Sequence, residues 1–220
     1  MPRRNKNIKH GNKPRDKQEP LHAHVGPHFM VATFRGEFKG ISDELNIRKT
    51  EYYKKKGGQT INLHKDPYFK NLIKKIKISV RHTAEHWYKA VPGYKVDVVS
   101  LWINSNEKGM NHPPHNHMNT FLSGTLFLDG DGTDYPPLKF IRPYPQPNLP
   151  IVKQYNQINS NVCQYNCIKD HFVLFPSYFF HYVDVNKNKK PRLSISFDTV
   201  LRGKYGEITN QGETVGQFKL

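Results

Sequence analysis

Phe172-Val173-Leu174-Phe175-Pro176-Ser177-Tyr178-Phe179-Phe180-His181-Tyr182-Val183 decides the fold, together with Arg192-Leu193-Ser194-Ile195-Ser196-Phe197 shortly after it. The first stretch holds two short apolar runs cut by Pro176-Ser177. They are too short for helices and rich in aromatic residues, so they read as buried strands. The second stretch alternates, with Leu193, Ile195 and Phe197 on one face and Arg192, Ser194 and Ser196 on the other. If the polar face lines a barrel interior, Arg192 is a buried cation and needs an anion. No Asp or Glu is expected to alternate with it. A bound carboxylate meets that need, because guanidinium and carboxylate match through two parallel hydrogen bonds. A surface arginine beside the polar turn Asn186–Lys190 is the other reading.

Outward from this stretch the same short period recurs. Strands are expected at Val96–Ile103, Thr120–Leu128, Leu138–Ile141, Ile151–Tyr155, His171–Phe175, Phe179–Val183 and Arg192–Val200, with an earlier one around Phe29, Val31 and Phe34. One helix stands out, Asp66–Ala90, where Phe69, Leu72, Ile73, Ile76, Val80, Ala84 and Trp87 recur at three and four. Pro67 suits its first turn and Pro92-Gly93 ends it. A long helix in the N-terminal half followed by many strands predicts a mainly β protein. The architecture is a sandwich or jelly roll with that helix packed outside.

Bulk properties fit one domain, 26–200, with a flexible basic arm at 1–25 and a C-terminal tail at 201–220. The net charge is +16. It is concentrated in residues 1–20, with seven Lys/Arg, and 48–81, with eleven. Such a field attracts polyanions, nucleic acid among them, through the arm and the lysine-rich helix; an ordinary solvated surface explains it equally well. Two cysteines, Cys163 and Cys167, make neither a disulfide framework nor a zinc site. A charged start without an apolar stretch behind it carries no secretory signal, and no apolar run is long enough to span a membrane. The expected setting is the cytoplasm, that of the host if the gene is a phage's.

The chemistry gathers at Asn111-His112-Pro113-Pro114-His115-Asn116-His117. Two prolines forbid helix here, and in an extended chain His115 and His117 point the same way. Alone, a His-x-His pair is more often plain surface, and His181 alone more often a satisfied core histidine. Together with Arg192 they form an ordered set. That set resembles the 2-oxoglutarate/Fe(II) dioxygenase superfamily, whose usual pattern is His-x-Asp, a distal His and an Arg about ten residues on. More closely, Trp102-Ile103-Asn104, His115-Asn116-His117, Leu122-Ser123-Gly124-Thr125-Leu126-Phe127-Leu128, Lys139-Phe140-Ile141-Arg142-Pro143, Leu174-Phe175-Pro176-Ser177, His181 and Arg192-Leu193-Ser194-Ile195-Ser196-Phe197 are similar to a family of such oxygenases from phages and marine bacteria, which also carries His-x-His.

The resemblance implies a double-stranded β-helix of the jelly-roll, cupin-like kind. It implies Fe(II) on His115, His117 and His181, with 2-oxoglutarate and O2 as co-substrates. Arg192 would hold the distal carboxylate with Ser194 beside it, and Asn104 and Ser123 are weaker candidates near the co-substrate. No catalytic residue beyond the metal site is implied. The reaction would hydroxylate an unidentified protein or small molecule, releasing succinate and CO2. The same core acting on nucleic acid, by demethylation or hydroxylation, and a non-catalytic jelly-roll assembly protein are the alternatives. Two departures stand out. His117 replaces a carboxylate, leaving the ligand set neutral, and Asp129 or Asp131 is the only substitute considered. Asp170-His171 stands where relatives tend to have glycine. Trp102, Phe127, Phe140, Phe175 and Phe180 are candidate pocket aromatics.

Overall fold

The computed structural model describes residues 22–24, 33–53, 58–90, 93–143, 150–156, 159–209 and 212–217. Residues 1–21 and 25, most of the expected arm, and Phe29 and Val31 lie outside them. The strands are β1 (His22–His24), β2 (Thr33–Glu37), β3 (Gly58–Thr60), β4 (Lys95–Asn106), β5 (His112–His115), β6 (Leu122–Phe127), β7 (Leu138–Ile141), β8 (Val162–Tyr165), β9 (His171–Pro176), β10 (His181–Val183), β11 (Arg192–Arg202), β12 (Lys204–Thr209) and β13 (Gly212–Gln217). The helices are α1 (Ile41–Leu45) and α2 (Lys70–His86). A seven-stranded sheet runs β1-β2-β9-β6-β11-β4-β3 and a four-stranded sheet runs β5-β10-β7-β8, with β12 and β13 as a separate hairpin. From β4 to β11 the chain passes back and forth between the two sheets. That winding is the double-stranded β-helix.

The pleat of the large sheet sorts its side chains into two environments. Leu101 and Ile103 of β4, Leu122 and Leu126 of β6, Phe172 and Leu174 of β9, and Leu193, Ile195 and Phe197 of β11 share one buried cluster with Leu72, Ile76 and Val80 of α2. The opposite residues, among them Phe127, Val173 and Phe175, join Leu138, Phe140 and Val183 of the small sheet in a second cluster. The large sheet is therefore buried on both faces, which is why its strands read as nearly continuous apolar runs. At the β4–β11 end the inner face turns polar, and there the site lies.

Helix α2 starts through a single 3₁₀ turn at Pro67–Phe69, where the Asp66 carboxylate accepts the Tyr68 N–H at 2.9 Å. It ends at His86, earlier than the expected Ala90. One strand expectation needs correction. Ile151–Tyr155 is not a strand, and Ile151 is fully exposed. The edge of the small sheet is instead β8, four residues too mixed in polarity to signal. The His112–His115 segment forms a strand despite Pro113 and Pro114, because β5 is an edge and an edge tolerates missing donors. The expected tail 201–220 contains the β12–β13 hairpin.

The Asp170 departure has a physical account. Asp170 has φ 67°, the left-handed conformation that favours glycine. Its carboxylate accepts the N–H groups of Gly40 and Ser42, each at 2.8 Å, at the start of α1. Aspartate tolerates this conformation better than most residues and ties the β9 turn to α1 as well.

Candidate metal and co-substrate site

Register alone brings two histidines together. In the β10–β5 pair His181 lies opposite His115, with ring centroids 4.3 Å apart. His117 lies just past β5, and its backbone N–H donates to the Ser177 carbonyl at 2.8 Å. That anchor holds its ring 5.4 Å from His115 and 5.1 Å from His181. One ring nitrogen from each histidine lies within 4.8 Å of the others.

The hydrogen bonds fix which nitrogen that is. The Nδ1 atoms of His115 and His181 lie 2.8 and 3.0 Å from the carbonyls of Pro113 and Phe179. His117 Nδ1 lies 2.6 Å from Asp198 Oδ1. Carbonyl and carboxylate oxygens only accept, so each Nδ1 carries a proton and Nε2 is left as the nitrogen able to ligate. Burial pushes the His115 pKa below its usual value and that of His181 down to about 3. Neutral imidazole is the ligating form, so His115 and His181 present donors in the right state, and all three rings converge on one point. The residues fit a divalent metal.

Arg192 heads β11 and is 2% exposed. Its Nε donates toward Cys167 Sγ at 3.2 Å and the Pro136 carbonyl at 3.3 Å, and Nη1 reaches Ser194 Oγ at 3.4 Å. Its guanidinium lies 5.5 Å from the Phe127 ring centre. Nη2 has no partner among the described residues, and no carboxylate there pairs with the cation. Arg192, the three histidines, Asn104 and Ser194 all line one cavity of about 470 Å³. The volume is in the range of small-molecule sites.

Other candidates fall differently. Asn104 lines the cavity, accepting from Gln59 Nε2 at 2.8 Å and donating to Ser196 Oγ at 3.1 Å. Ser123 is fully buried and does not line it; its hydroxyl contacts Asp198 at 2.5 Å and His117 at 3.0 Å, on the metal side. Of the aromatics, Trp102 lines the cavity, while Phe127, Phe140 and Phe175 are core behind it. Phe180 is half exposed and does not line the cavity. Asp129 pairs with Arg48 and Asp131 with Thr133, so neither replaces the missing carboxylate. The polar alternation of β11 instead continues past Phe197 to Asp198, which also lines the cavity. It lies six positions from Arg192, about 20 Å along a strand, so it pairs with His117 and not with the arginine. His112, another cavity residue, has its pKa lowered to about 4 by burial and then by Arg192. Cys167, at the back of Arg192, gave no signal in the sequence.

Over residues 100–198 the chain matches the family described as "Putative 2OG-Fe(II) oxygenase". That match, the double-stranded β-helix and a triad able to hold iron together support a 2-oxoglutarate/Fe(II)-dependent oxygenase. Solved structures share the fold. A prolyl-4-hydroxylase from Pseudomonas putida aligns at 12% identity and TM-score 0.55, over 79% of this chain and 95% of its own. The epimerase SnoN from nogalamycin biosynthesis, solved with Fe3+, alpha ketoglutarate and nogalamycin RO, aligns at 12% and 0.55, over 77% and 79%. AviO1 from Streptomyces viridochromogenes Tue57 aligns at 12% and 0.53, over 78% and 90%. No curated protein sequence matches the chain.

Proposed function

We propose that His115, His117 and His181 hold Fe(II) through their Nε2 atoms. Arg192, with Ser194 beside it, holds the distal carboxylate of 2-oxoglutarate, and the protein hydroxylates a protein side chain or small molecule with release of succinate and CO2. The observation that carries this reading is the buried guanidinium with an unpartnered Nη2, lining the cavity that the three histidines also line. A keto-acid with a carboxylate at its far end satisfies that donor and reaches toward the metal. Iron with its co-substrate supplies the oxidising chemistry. The chain supplies the rest: Phe127 and Cys167 fix the guanidinium plane, Phe140 and Phe175 back His181, and the Trp102 ring lies 5.5 Å from His117. The bound groups of SnoN are consistent with the same ligands here.

The nucleic-acid alternative finds less support. Helix α2 covers the face of the large sheet opposite the cavity, so its lysines lie behind the site. No helix among the described residues is long and apolar enough to cross a membrane, which is compatible with the cytoplasmic setting we propose. The domain limits 26–200, with the arm before and the tail after, belong to the same proposal.

The test is anaerobic addition of Fe(II) and 2-oxoglutarate, read by the visible charge-transfer band of a chelated keto-acid. The band should appear in the wild type and be absent in His181→Ala. Arg192→Ala should need on the order of 100-fold more 2-oxoglutarate, the loss expected of a charge-assisted pair. A wild type without the band and without heat of binding for either component would overturn the reading.

A further inference from the structure

The triad has an asymmetry that the ligand residues alone do not explain. His115 and His181 rest their Nδ1–H groups on neutral backbone carbonyls two residues earlier. His117, the residue standing where a carboxylate ligand is usual, rests its Nδ1–H on a carboxylate instead. The contact to Asp198 Oδ1 is 2.6 Å, at the short limit of charge-assisted N–H···O bonds, and both side chains are mostly shielded, at 13% and 14% exposure. Ser123 Oγ, 2.5 Å from Asp198 Oδ1, fixes that oxygen further and itself lies 2.9 Å from Ser177 Oγ. Ser177 in turn accepts the His117 backbone N–H through its carbonyl. His117 is thus held at ring and backbone by one local network.

We propose that Asp198 is the positioning residue of this metal centre and supplies from behind His117 the negative charge that the His-x-His ligand set lacks. The proposal rests on the reading of His115, His117 and His181 as the metal triad. A carboxylate accepting the far N–H of a ligating imidazole fixes its tautomer and plane and makes its Nε2 a stronger donor. The proton stays on Nδ1 and no bond is made or broken. The charge moves from the inner ligand shell to the next one, where it stabilises a divalent cation without occupying a coordination position. Strand β11 builds this in: one polar face carries Arg192 for the co-substrate at one end and Asp198 for the metal ligand at the other.

The experiment titrates the apo protein anaerobically with Fe(II) and, separately, Co(II), by calorimetry and by the Co(II) visible spectrum. Asp198→Asn, which keeps the shape and removes the charge, should bind either metal 10- to 100-fold more weakly. In the zinc-loaded wild type the His117 Nδ1 proton should resonate far downfield, and that signal should move upfield or vanish in Asp198→Asn. Restoring the charge within the ligand set, in His117→Asp/Asp198→Asn, should recover metal affinity, which a merely structural role would not do. Asp198→Asn binding within about threefold of wild type, or a double variant no tighter than Asp198→Asn, overturns the proposal while leaving the triad standing. A wild type that binds neither metal overturns the triad itself.

Discussion

Single residues carry the two ends of the proposed chemistry. Arg192 was legible because a buried arginine in an alternating strand demands an anion. Asp198 was equally legible, since it falls on the polar face of the expected strand Arg192–Val200, but the reading that no acidic residue alternates with Arg192 overlooked it. Arg192→Lys tests the geometry at the first end. It keeps the charge but loses the planar fork, so 2-oxoglutarate affinity should fall about tenfold while Co(II) affinity stays unchanged. An equal loss of both would mean that the variant disturbs the fold and not the anion site. Asp170 is informative in another way. Its carboxylate holds Gly40 and Ser42, and its φ of 67° is strained for most side chains. Asp170→Ala removes two accepted hydrogen bonds and keeps the strain, so it should lower stability by about 2 kcal/mol, a melting shift of roughly 4–8 °C. A variant melting with the wild type would show that the α1 contact contributes nothing.

At the level of elements, the large sheet works because β6 is thin at one point. A side chain at Gly124 would place Cβ 2.2 Å from the Phe197 ring and 2.9 Å from a Leu174 methyl, both in the α2-side core. Gly124→Ala should therefore force Phe197 off its position and destabilise by about 1–3 kcal/mol, read as a lower urea midpoint with an unchanged slope. An unaltered midpoint would mean that the ring moves freely. The edge strand β5 shows the opposite economy. Pro113 and Pro114 are tolerated because β10 is its only neighbour in the sheet, yet the register of that pairing sets His115 against His181.

Over the whole molecule, the cavity concentrates buried neutral histidines. His112 and His181 titrate near pH 4 and 3 in the fold, His115 is also lowered, and an unfolded histidine titrates near 6.5. Below about pH 6.5 the unfolded chain therefore binds more protons than the folded one. Stability should fall as pH drops from there toward 4, at no more than about 1.4 kcal/mol per pH unit for each histidine. Melting curves of the metal-free protein between pH 7.5 and 4.5 would show this, and His112→Gln should flatten the slope. A slope identical in the variant would remove His112 from the account.

The sequence by itself determined the architecture, an amphipathic helix where α2 lies, most strands of the large sheet, and four residues, His115, His117, His181 and Arg192, that meet at one cavity. Those features follow from local period and from spacing along the chain, and both are visible without a fold. It did not reveal β8, β3 or the closing hairpin, because short strands of mixed polarity carry no period. Only the tertiary structure decided which nitrogen each histidine presents, that Ser123 lies against His117 and Asp198 and does not line the cavity, and that α2 lies behind the cavity. It alone also joined Asp198 to His117, 81 positions away. Such facts depend on which strands become neighbours and in what register, and pairing between distant segments is what one strand's own residues cannot specify.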